Sequence, residues 1–163
     1  MSRSLHMLSD TQGTVTHGFL APNVYYARVA GYVSSKLGID CSLQLRQHLT
    51  DTTVTVFVDA SSVEGGAFAA RSAVMRALLA KRRQLHFVTI LVGSEAMATR
   101  ARAMAATLGR PHSVMDSPGL FQTQLIEAVP SARRKIAPTS ATLRVARSVR
   151  PIARSARPRA RTA

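Results

Sequence analysis

Tryptophan is absent, cysteine occurs once, and the other large aromatics amount to five Phe and three Tyr. A core has to come from Val, Leu, Ile, Ala and Met, which close-pack readily. The lone Cys41 excludes an internal disulfide and suits a reducing, cytoplasmic setting. With no His or other base at a telling spacing, it reads as a small apolar residue on a helix. No apolar run approaches the roughly 18 residues of a membrane span. The segment from Met1 to Gln12 lacks the apolar block of a signal peptide.

Acids are scarce as well, eight Asp+Glu against 22 Lys+Arg. There is no paired acidic cluster, no nucleophile elbow and no Cys/His spacing that would build a zinc site. His6, His17, His48, His86 and His112 are scattered over separate predicted elements. The chain is therefore read as a non-enzyme without metal or cofactor.

The 163 residues leave room for one ordinary domain and an appendage. A formal charge of +14 divides unevenly along them. Residues 1–130 carry 12 Lys+Arg against 8 Asp+Glu, whereas residues 131–163 carry 10 Lys+Arg and no acid. Three of the 22 cations are Lys and the rest are Arg, which reflects genome composition as readily as guanidinium chemistry.

Residues 1–13 are polar and aperiodic and read as a flexible lead-in. From Thr14 to Leu20, and again from Val24 to Val33, β-branched and aromatic residues flank Pro22-Asn23, a pattern for two strands joined by a tight turn. Ser34 or Ser35 can cap a helix on which Leu37, Cys41, Leu45 and Leu49 recur every four residues, with Gly38 as its weak point. Thr53 to Asp59 and His86 to Val92 are short, nearly unbroken β-branched runs, as in central strands buried on both faces. Between them Ala67 to Arg83 carries Ala67, Ala70, Val74 and Leu78 at helical spacing, completing a crossover, with Arg71 and Arg76 facing away.

Gly93-Ser94 predicts a turn and cap for a helix marked by Met97, Ala101, Met104 and Leu108 and ended by Gly109. His112 to Met115 suggests a short strand. Ser117-Pro118 opens a last helix lined by Phe121, Leu125 and Val129. The predicted fold is α/β, a single mixed sheet of four to five strands covered by helices over residues 14–130. Beyond Pro130, Ser, Ala, Arg and Pro dominate, and residues 131–163 are read as a disordered basic tail. Thr142 to Arg150 could turn helical on a partner, within the limits set by Pro151 and Pro158.

Several positions invite chemistry. Asp59 closes a predicted central strand, where open sheets place ligands, yet no acids for magnesium and no lysine accompany it, so it is read as a cap or turn residue. Gly65-Gly66 lacks the Lys of a nucleotide loop and is read as a tight turn. Gly93 and Ser94 offer a generic anion site at a helix start. Arg100, Arg102 and Arg110, with Lys81-Arg82-Arg83, are read as solvated helix faces. The tail cations Arg133, Arg134, Lys135, Arg144, Arg147, Arg150, Arg154, Arg157, Arg159 and Arg161 create an unscreened positive field suited to an anionic partner.

Three segments carry a family resemblance: Asn23 to Ser35 (Asn-Val-Tyr-Tyr-Ala-Arg-Val-Ala-Gly-Tyr-Val-Ser-Ser), Val54 to Val63 (Val-Thr-Val-Phe-Val-Asp-Ala-Ser-Ser-Val) and Leu85 to Val92 (Leu-His-Phe-Val-Thr-Ile-Leu-Val). Over about Thr14 to Val129 the chain resembles the STAS-like superfamily, the fold of bacterial anti-sigma factor antagonists. The resemblance implies a regulatory module that docks a protein partner or small ligand through Asp59, Ser61, Ser62, Gly65, Gly66, Phe68 and Arg71. Where the phosphorylatable antagonists open a helix with an acceptor serine, this chain reads Glu64-Gly-Gly-Ala-Phe-Ala-Ala-Arg71. Ser61, Ser62 and Ser72 lie nearby but off position, so no phosphorylation switch is carried over. The alternative is a nucleic-acid or anionic-surface binder in which the tail supplies the affinity.

Overall fold

Residues 5–50 and 52–129 are described by the computed structural model, and they form a six-stranded sheet with four helices. The basic segment 131–163, with Arg133 and the cations that follow it, lies outside the described residues. The elements run β1 (Leu5–Ser9), β2 (Gly13–Ala21), β3 (Val24–Val33), α1 (Ser35–His48), β4 (Val54–Gly66), α2 (Phe68–Ala80), β5 (Leu85–Val92), α3 (Glu95–Thr107), β6 (His112–Met115) and α4 (Pro118–Ala128).

Spatial order follows sequence order, β1-β2-β3-β4-β5-β6. The first three strands pair antiparallel and β3 to β6 pair parallel. Because each parallel crossover steps one strand in the same direction with the same hand, α1, α2 and α3 fall on one face of the sheet. The last helix, α4, covers the other face, where Phe121, Leu125 and Val129 meet Val24, Phe57, Leu91 and Met115. Strands β4 and β5 are thus buried from both sides, the physical reason for their unbroken apolar runs.

The caps agree with the residues that supply them. Ser34 Oγ accepts from the Leu37 amide at 3.1 Å, Ser94 Oγ from Met97 at 3.3 Å and Ser117 Oγ from Leu120 at 3.4 Å. Each satisfies an amide that the first turn leaves without a helical partner. Gly109 follows α3 with φ +62°, a conformation that side chains with a Cβ resist.

Three expectations are corrected. The sheet has six strands, not four to five. The additional strand comes from the segment read as a lead-in: Leu5 to Ser9 pairs with Thr14 to Gly18 across a turn in which Asp10 accepts from the amides of Gln12 (2.8 Å) and Gly13 (3.0 Å). Asp10 also accepts from the Ser34 hydroxyl, tying this hairpin to the start of α1. These hydrogen bonds, Ser34 foremost, hold its carboxyl below the usual range. Finally, β4 does not stop at Asp59 but continues to Gly66, through register shifts opposite Arg28–Ala30 and Gly31–Tyr32. Such irregularities bend a strand and re-aim its side chains. Gly65 and Gly66 are consequently strand residues opposite Tyr32 and Val33, and not a turn.

Candidate functional site

The helices do not seal the sheet evenly. Helices α1 and α2 cross closely: a Cβ added to Gly38 would lie 2.3 Å from the Cβ of Ala70. Glycine, a weak point for α1 taken alone, is therefore what this crossing requires. Helix α3 instead lies against β5 and β6. Between these two supports a cavity of about 440 Å3 remains above β3, β4 and β5.

Its floor includes Ala27, Val29, Val58, Ala60, Val63 and Ile90, all only half-buried although they face the helices. Val74 and Leu78 of α2 and Ala101 of α3 line the walls, with Met75, Met97 and Met104, whose unbranched, polarizable chains adapt to ligands of varied shape. Cys41 also lines the cavity, and burial pushes its thiol up to about 11, so it stays protonated and behaves as an apolar group. Among the described residues no Asp or Glu lines the cavity, and its charged lining residues are Arg71 and Arg100.

A second feature, which sequence spacing does not reveal, adjoins it. His6 and His17 are direct cross-strand partners, and His48 in the last turn of α1 packs against both with its ring tilted, centroids 5.1 Å from His6 and 5.7 Å from His17. His17 is fully buried, lines the cavity, and shares a hydrogen bond of 2.7 Å between Nδ1 and the hydroxyl of Tyr25. Burial first, then the neighbouring His48 and His6, lowers its pKa to about 4. The same burial raises the Tyr25 phenol, and His48 is lowered by burial and by His6. The Nε2 atoms of His17 and His48 are buried without a hydrogen-bond partner. Three of the five histidines thus converge, and the only signal for it was hairpin register about the turn at Asp10. Among the described residues no group of three or more His, Cys, Asp or Glu is arranged to hold a metal ion.

The residues singled out for partner binding do not form one cluster. Asp59 sits within β4 and accepts from the Ser61 amide (3.1 Å) and hydroxyl (2.6 Å), with Arg28 Nε at 3.7 Å. It therefore serves as a local brace at the strand irregularity rather than at a strand end. Asp59 and Ser61 line a smaller hollow of about 250 Å3 on the α4 face, beside Tyr26. Burial, and then the Asp59 carboxylate, raises the Tyr26 phenol. Gly65, Gly66 and Arg71 belong instead to the large cavity on the opposite face. Ser62 is exposed, and Phe68, the first residue of α2, is 77% exposed.

At the proposed anion site, Ser94 caps α3, and Gly93 is there for close packing: a Cβ on it would lie 2.2 Å from the Ser61 carbonyl oxygen. The basic group also separates. Arg102 pairs with Glu95 at 2.9 Å, and Arg110 donates to the carbonyls of Arg82 (2.9 Å) and Arg83 (3.1 Å), while Arg100 turns to the cavity.

No protein-family model matches the sequence, and no curated protein matches it either. A crystal structure of an uncharacterized protein of the DUF3478 family, from Shewanella loihica PV-4 and described as having a SpoIIAA-like fold, is similar with a TM-score of 0.54. Sequence identity is 10%, over 75% of this chain and 92% of that chain. A likeness at that identity establishes the fold alone, a SpoIIAA-like α/β fold. Among the described residues no helix is long and apolar enough to cross a membrane.

Proposed function

We propose that this chain is a non-enzymatic regulatory module that takes an apolar small molecule into the cavity between its sheet and helices and offers the adjoining helix start to a protein partner. One observation carries the reading: a cavity of about 440 Å3 whose lining is apolar save for a few polar groups. Ligand sites have this character, roughly 300 to 1,000 Å3 in volume and apolar with a few placed polar groups. The cavity, which runs along the sheet face, also reaches the C-terminal ends of β4 and β5, where Gly65, Gly66 and Val92 line it, the edge at which open parallel sheets bind ligands. The SpoIIAA-like fold is compatible with protein interaction, and the exposed ring of Phe68 beside the lining residues Gly66 and Arg71 supplies an apolar anchor for such a partner.

The test is titration with an uncharged, environment-sensitive dye, N-phenyl-1-naphthylamine. Saturable fluorescence enhancement is expected from the full-length protein, and Ala101→Phe, which projects a ring into the lining, should reduce it about tenfold or more. An unsaturable dye signal, or equal binding by the folded A101F variant, would reject the cavity as the binding site.

A further inference from the structure

We propose that the ligand of this cavity is a single-chain amphiphile with a carboxylate head, its chain lying against the Met- and Val-rich lining and its head held between Arg71 of α2 and Arg100 of α3. The inference rests on the cavity reading above and specifies the ligand's charge.

Arg71 and Arg100 stand on the two helices that border the cavity, and they are its charged lining residues. Among the described residues neither has an ion-pair partner. The acids nearest in sequence are otherwise placed. Glu95, in the first turn of α3, is engaged by Arg102, and Glu64 lies between Val63 and Gly65, which line the cavity, without lining it itself. Arg71 lies in the first turn of α2, which starts at Phe68 and where the helix dipole is positive, and Arg100 one turn further into α3, which starts at Glu95. Two guanidinium groups without an ion-pair partner and no lining acid, among the described residues, make this part of the cavity complementary to an anion.

Guanidinium groups match a carboxylate through paired N–H donors, which adds direction to the charge attraction. The volume, toward the lower part of the usual ligand range, suits one chain rather than two. His17 and Tyr25 also line the cavity; Nδ1 and the hydroxyl satisfy each other there, while the buried His17 Nε2 has no hydrogen-bond partner.

The experiment compares cis-parinaric acid, which is fluorescent, with its methyl ester on the full-length protein. The acid should bind about tenfold or more tightly than the ester. That preference should shrink as salt is raised, because exposed charges are screened. In the double variant Arg71→Gln/Arg100→Gln the acid's affinity should fall to the level of the ester's. Both side chains are exposed, so these substitutions do not disturb the core. Equal binding of acid and ester by the unaltered protein would overturn the carboxylate clasp while leaving the cavity reading intact. Binding of neither would overturn both. Displacement of the acid by lysophosphatidate at lower concentration than by palmitate would overturn the carboxylate in favour of a phosphate head.

Discussion

The Tyr25 hydroxyl and His17 Nδ1 lie 2.7 Å apart, and both residues are wholly removed from solvent. This buried polar pair, on neighbouring strands β2 and β3, stands among Phe19, Val15 and Leu45, in a setting where an uncompensated charge or a missing partner is expensive.

A first consequence concerns pH. The His17 imidazole has its pKa lowered from 6.5 to about 4 in the folded state. Between those values the unfolded chain binds a proton that the folded chain refuses, so stability declines as pH falls through this window and levels off below it. The shift corresponds to about 3 kcal/mol. His48, also lowered, acts in the same direction. Urea midpoints measured near pH 7.5 and near pH 4.5 should differ accordingly, and the difference should shrink in His17→Leu. An acid-induced loss of unchanged size in H17L would refute the assignment.

Replacing Tyr25 by Phe removes the hydroxyl and leaves His17 Nδ1 unpaired beside an Nε2 that already lacks a partner. Leaving a buried polar group unsatisfied costs about 1 to 3 kcal/mol. Chemical denaturation of Y25F should show that loss with an unchanged denaturant slope, and an unaltered midpoint would mean the hydrogen bond contributes nothing net.

Gly38→Ala pits local against tertiary preference. Alanine favours a helix by about 1 kcal/mol over glycine, yet here its methyl would meet Ala70 at 2.3 Å. Forced overpacking costs typically 1 to 3 kcal/mol, so net destabilisation is expected. Gly119→Ala in α4, where nothing lies within 4 Å of the added carbon, should be neutral or stabilising. Thermal melts of the two variants compare them directly; a rise in Tm for G38A would contradict the close crossing of α1 and α2.

Cys41 offers a built-in probe. With its thiol pushed up to about 11, only roughly one molecule in a thousand carries a thiolate near pH 8. Labelling by Ellman's reagent should be slow in the native protein and fast in urea, and a bound apolar ligand should slow it further, because Cys41 lines the cavity. Rapid native labelling would show that α1 leaves the thiol open.

Much of the fold was legible because it obeys local rules. The β-branched runs at Val54 and Leu85, the serine caps at Ser34, Ser94 and Ser117, and Gly109 after α3 each record a constraint that neighbouring residues impose on one another. Strand β1 escaped notice because edge strands need few apolar residues; Leu5 and Met7 are exposed, at 48% and 70%, and Asp10 and Ser34 brace the hairpin from afar. Asp59 misled because its strand bends without ending, and an irregular ladder has no fixed spacing in sequence.

The amino-acid order by itself determined where the four helices and the strands other than β1 and the far half of β4 form, since periodicity and capping act over a few residues. Only the packing of those elements decided that α1 and α2 meet at Gly38, that α3 stands apart on β5 and β6, and that His6, His17 and His48 converge. Cavities and clusters arise between segments distant in sequence, from volumes and crossing geometry that no local pattern encodes.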